Sequence, residues 1–101
     1  MLLLDRVCGM LGISAKAGKI VAGTDIVIES MKKKKVSLVI VANDASDKTK
    51  KEITFKCNQY NTEIIFWGEI DINSKAIGKS NKAIIGILDK GLADSIRKLI
   101  S

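Results

Sequence analysis

Few residues in this chain have the types and spacing that covalent chemistry requires. Cys8 and Cys57 are its two thiols, and a thiol nucleophile needs a neighbouring base, yet the sequence contains no histidine. Both cysteines fall on apolar faces of predicted helices, where a small core residue belongs. Two isolated cysteines with no histidine make neither a disulfide framework nor a metal set. Asp44 and Asp47 are spaced like an acid–base pair, but they lie where helix caps lie, and capping is the simpler reading. Gly78-Lys79-Ser80 ends like a phosphate-binding loop. The glycine that such a loop needs five positions earlier is Asn73, and the segment follows a helix rather than a strand. Gly12 to Lys19 has one residue too many for the same loop, and Ile20 stands where a metal-binding hydroxyl would be. No Gly-x-Gly-x-x-Gly occurs. The sequence therefore predicts no enzyme, no cofactor and no metal.

Binding chemistry is better represented. The stretch from Ser14 to Ile28 holds Gly18, suited to closing a helix in a left-handed conformation, and Gly23-Thr24-Asp25, suited to starting the next one. A helix start exposes unpaired N–H groups and the positive end of the peptide dipole, a place for phosphate or another hydrogen-bonding partner. Lys16 and Lys19 are expected beside it, and no acid occurs between Asp5 and Asp25. A second basic segment carries Lys75, Lys79 and Lys82, with no acid between Asp71 and Asp89. It is expected to form a loop beside the first, with Ser80 and Asn81 reaching polar edges of a partner. Lys32-Lys33-Lys34-Lys35 reads equally as a solvated helix end that complements the dipole or as a phosphate contact.

The elements that position these residues follow from periodicity. Leu4, Val7, Cys8 and Leu11 recur at helical spacing and predict a helix from about residue 3 to 17. Ile20-Val21 is a minimal strand. Thr24 to about Lys34 is a helix with Val27, Ile28 and Met31 inward. Val36 to Ala42 is an almost unbroken β-branched run, which suits a strand covered on both faces. A helix is expected from Lys48 to Tyr60 with Asn61 as its stop, a strand from Glu63 to Trp67, and a short helix from Ile70 to Ile77 ended by Gly78. A strand over 83–88 and a last helix complete the chain. Helices alternate with strands, which argues for an α/β sandwich. The 101 residues suit one domain, 1–101, without linker, repeat or proline. A net charge of +6 favours an anionic partner, nucleic acid foremost. No segment reads as a signal peptide or membrane span, so a cytoplasmic protein without membrane contact is expected.

Ala17-Gly18-Lys19-Ile20-Val21-Ala22-Gly23-Thr24, Leu38 to Ser46, and Ala76-Ile77-Gly78-Lys79 together resemble, in order and almost end to end, the ribosomal L-seven-A-e and L-thirty-e superfamily. The small bacterial YlxQ-like branch is the nearest match. The resemblance implies a three-layer α/β/α sandwich with a mixed sheet that binds structured RNA, in many members a kink-turn. It further implies ribosomal RNA as partner, and ribosomal or assembly-factor proteins as companions. Carried over by position, one contact segment is Gly23, Thr24, Asp25 and Ile26, and a second is Lys79, Ser80, Asn81 and Lys82. Gly18 belongs to the same RNA-binding set, and Lys19 would touch phosphate. Asp25 stands where strong kink-turn binders carry Asn, and Ile26 where they carry Glu. The alternative is a protein-interaction module of the same fold, with Ile26 and Ile28 forming an apolar patch if they are exposed.

Overall fold

The computed structural model describes residues 3–100. The elements run α1 (Leu3–Lys16), β1 (Ile20–Ala22), α2 (Thr24–Lys32), β2 (Leu38–Val41), α3 (Asp47–Gln59), β3 (Ile64–Phe66), α4 (Ile70–Ala76), β4 (Ile84–Ile87) and α5 (Lys90–Ile100). The strands form one sheet in the order β1-β4-β2-β3. β4 pairs antiparallel with both β1 and β2, while β2 pairs parallel with β3. This is the expected three-layer α/β/α sandwich with a mixed sheet.

All of β2 is buried, as its β-branched run demands, because helices cover both sheet faces. On one face, Val7 and Leu11 of α1 with Ala93 and Ile96 of α5 pack on Leu38, Ile40, Ile85 and Ile87. On the other, Val27, Ile28 and Met31 of α2 with Ile53 and Cys57 of α3 pack on Val39, Val41 and Ile84. Each such aliphatic side chain contributes about 1.5–3 kcal/mol relative to exposure, so the alternation along β2 and β4 holds the helices in place. Gly86 sharpens this on the α2 side. A Cβ there would stand 3.1 Å from Val21 Cγ2 and 3.5 Å from both Val27 methyls. The missing side chain lets α2 lie close to the sheet.

Two details differ from the periodicity. The buried stripe of α1 is Val7, Leu11 and Ser14, with Leu4 exposed and Cys8 half-buried. Ser14 is tolerated inside because its hydroxyl donates to the Met10 carbonyl at 2.8 Å. The second helix stops at Lys32, not Lys34. Lys34 adopts a left-handed φ of 57°, and the N–H groups of Lys34 and Lys35 close the turn on the carbonyls of Met31 and Ser30 at 2.9 and 3.0 Å.

Candidate nucleic-acid interface

The strand register gives the sheet two chemically different ends. At one, Gly23 N–H donates to the Ile84 carbonyl and Ala42 N–H to that of Ala83, both at 2.9 Å. Trp67 N–H donates to Val41 at 2.9 Å and Asn43 N–H to Gly68 at 2.8 Å. The loops that open α2, α3 and α4 therefore share this Gly23 end. At the other end, Leu88 N–H reaches the Lys19 carbonyl and Ser37 N–H the Ile87 carbonyl, both at 2.8 Å. There α1, α2 and α3 finish.

At the Gly23 end two distant segments meet. Gly23 has φ 112° and ψ 150° and caps α2 without any side-chain hydrogen bond. This backbone region is almost reserved for glycine. A Cβ on Gly23 would stand 3.9 Å from Lys82 Nζ and 3.8 Å from Ile26 Cγ2. The Lys82 ammonium thus lies against the start of α2. Lys79, Ser80 and Asn81 are exposed beside it in the loop, and Asp25 and Ile26 are exposed on the first turn of α2, with Thr24 half-buried. Among the described residues, no carboxylate within ion-pair distance of Lys79 or Lys82 is found.

The loop is held from below by Ser74, which the sequence reading passed over. Its side chain is 1% exposed. Its hydroxyl accepts the Lys82 N–H at 2.8 Å and donates to the Lys82 carbonyl at 3.2 Å. Lys79 N–H closes on the Ser74 carbonyl at 2.8 Å around Gly78, whose φ is 72°. Asn81 is itself left-handed, with φ 55°. The signal available in sequence was the spacing Ser-x-x-x-Gly-Lys, which occurs at Ser14 and again at Ser74. In both places the serine is buried and the glycine ends a helix.

Other expected positions lie elsewhere. Gly18 has the expected left-handed φ, 71°, but Gly18 and Lys19 are at the opposite end of β1 from Gly23. The three residues of β1 separate Lys19 from Gly23, four steps along the chain and about 13 Å at 3.3 Å per residue. Local sequence proximity suggested a shared turn; the extended backbone of β1 carries the two apart. Lys32–Lys35 are exposed at that same far end. Ile28 is buried at 8% exposure, whereas Ile26 is 50% exposed. The expected apolar pair is thus one core residue and one surface residue, because consecutive inward positions 27 and 28 turn residue 26 away.

The candidate chemical groups are otherwise engaged. Asp44 Oδ1 accepts the Ile70 N–H at 2.8 Å and so caps α4, while Ser46 caps α3 by accepting the Thr49 N–H at 3.2 Å. Burial pushes the Cys57 thiol up to about 11. Burial, and secondarily the Asp5 carboxylate, raises that of Cys8. Neither thiol is poised as a thiolate. Among the described residues, no group of three or more His, Cys, Asp or Glu is arranged to hold a metal ion.

Known proteins share this architecture and sequence. The RNA-binding protein YlxQ of Bacillus subtilis (strain 168) is 31% identical over 91 residues, covering 90% of this chain and 91% of the relative. The protein of the same name from Enterococcus faecium is 33% identical over 97 residues, covering 95% and 92%. Among solved structures, a protein of unknown function from Bacillus halodurans superposes with a TM-score of 0.90 at 30% identity, over 94% of this chain and 96% of the other. The Giardia lamblia 15.5kD RNA binding protein shares the fold alone, with a TM-score of 0.79 at 18% identity over 99% and 87% of the two chains. Residues 5–95 match the model of the ribosomal protein L7Ae/L30e/S12e/Gadd45 family, and the chain belongs to that family.

Proposed function

We propose that this chain acts as a single RNA-binding domain whose contact surface is the Gly23 end of the sheet. Gly23, Thr24, Asp25 and Ile26 form one side of that surface, and Lys79, Ser80, Asn81 and Lys82 the other. The observation that carries the reading is the Lys82 ammonium lying against Gly23 at an α2 start that lacks a side-chain cap. A cation beside open helix N–H groups suits a phosphate, and the polar loop suits the edges of unpaired bases. Two relatives carry RNA binding in their names. The partner in this reading is structured RNA, ribosomal and kink-turned, met in the cytoplasm alongside ribosomal or assembly-factor proteins. No described helix is long and apolar enough to cross a membrane. Gly18 and Lys19 stay outside the surface.

The test is a titration with two RNAs of equal length at near-physiological salt, one with a kink-turn carrying tandem G·A pairs and one a plain duplex. Tighter binding to the kink-turn is expected. Equal, salt-sensitive binding to both would reduce the surface to a backbone contact. A second reading rests on Ile26, which is 50% exposed. An apolar side chain at that position suits a protein partner, and loss of all RNA binding in the titration would move the assignment there.

A further inference from the structure

The α3 helix carries a feature that the Gly23 surface does not use. Phe55 is 66% exposed, the most exposed of the large hydrophobic residues described, in a chain with only two Phe, one Trp and one Tyr. Its ring borders a shallow hollow of about 360 Å³ lined by Lys50, Lys51, Thr54, Phe55 and Asn58. Lys56 places its ammonium 6.0 Å from the centre of the same ring. An isolated surface phenylalanine has no need of such company. Here an aromatic face, cations and short polar side chains converge on one helix.

We propose that this face of α3 holds an unpaired nucleotide of single-stranded RNA, its base stacked on Phe55 and its phosphates on Lys50 and Lys51, with Lys56 as a further cation beside the ring. A flat ring among lysines complements a nucleotide: stacking accepts any base, and the cations follow the backbone. Thr54 and Asn58 supply hydrogen-bonding groups at the rim. An apolar protein surface would leave the lysines uncompensated, and an acidic peptide would leave the ring without a partner. The position also suits an RNA strand continuing from the Gly23 end. α3 begins there, Lys50 and Lys51 lie in its first turn and a half, and Phe55 lies about 12 Å along the axis at 1.5 Å per residue. The proposal takes from the preceding section only that the partner is RNA.

The test compares the wild-type chain with Phe55→Ala and Phe55→Tyr on three probes: the kink-turn hairpin, the same hairpin with a six-nucleotide single-stranded tail, and oligouridylate alone. Because Phe55 is exposed, the substituted proteins are expected to melt with the wild type. Wild type and Phe55→Tyr should bind the tailed hairpin about 5- to 100-fold more tightly than the untailed one. Phe55→Ala should lose that advantage while keeping the untailed affinity. Crosslinking of 5-iodouridine in the tail should map to Phe55. Equal binding of tailed and untailed RNA by wild type, or a tail advantage that survives in Phe55→Ala, overturns the proposal. If neither hairpin binds but oligouridylate binds in a Phe55-dependent way, the α3 face stands and the structured-RNA reading of the Gly23 end falls. If oligouridylate and hairpins alike are ignored, both fall.

Discussion

The two ends of the sheet are both rich in lysine, yet they are not equivalent. At the far end, Lys16 and Lys32 occupy the last turns of α1 and α2, where backbone carbonyls and the negative dipole pole already call for cations. At the Gly23 end, Lys79 follows the Gly78 end of α4 as Lys19 follows the Gly18 end of α1, while Lys82 lies against the start of α2, where the dipole is positive and no cation is needed for the fold. Acids sit there instead: Asp25, Asp47 and Asp71 each occupy the first turn of their helix. Charge that the fold already compensates says little about partners. Charge placed against the local field, on a loop pinned by a buried hydroxyl, is where a ligand is expected.

That contrast is open to direct attack. The largest effect should come from replacing Lys79 and Lys82 together by Ala. Each lost phosphate contact should lower the slope of log affinity against log salt by about 0.7–0.9. Replacing Lys19, Lys32, Lys33 and Lys35 instead should leave the slope near wild type. A reversed result would place the RNA at the far end. Next come the glycines. Gly23→Ala should lose about 1–3 kcal/mol of stability in chemical denaturation and weaken RNA binding with it. Gly18→Ala, with its left-handed φ of 71°, should lose about 1–2 kcal/mol while affinity per folded molecule stays unchanged. A smaller effect is expected at Asp25. Asp25→Asn should remove about 0.3–1 kcal/mol of helix stabilisation yet tighten RNA binding several-fold in the same titration. The smallest lies at the end of α2. Lys34→Gly should stabilise the chain by about 0.5–1 kcal/mol, since its left-handed φ of 57° suits glycine better, without changing RNA affinity.

The sequence made the elements legible because their signals are local. The run from Val36 to Ala42 announces a doubly covered strand, and Asn61 and Gly78 mark helix ends that the structure confirms with φ values of 53° and 72°. Lys34 was not legible, since a lysine within a lysine run carries no sign of a left-handed backbone. The surface was only half legible. Composition and the family resemblance put Gly23–Ile26 and Lys79–Lys82 side by side, but not the strand pairing that joins them. Their meeting depends on the Ala22–Ile85 register, and long-range pairing leaves no trace in nearby residues. For the same reason Lys19 was read as a neighbour of Gly23: four residues are close in a turn and distant in a strand. Ser74 escaped because a serine in a helix usually faces water, and its inward position depends on Lys82 folding back over it.

β4 also governs when the surface comes into being. Among the described residues it follows the other three strands in chain order, yet it lies between β1 and β2 and hydrogen-bonds to both. Until Ile84–Ile87 are in place, β1 has no neighbouring strand, and Gly23 lacks the carbonyl that receives its N–H. A growing chain that has reached only Lys82 therefore carries both contact segments without the strand that joins them. The central strand acts as a timing device, withholding the proposed RNA surface until residues 84–87 have been made.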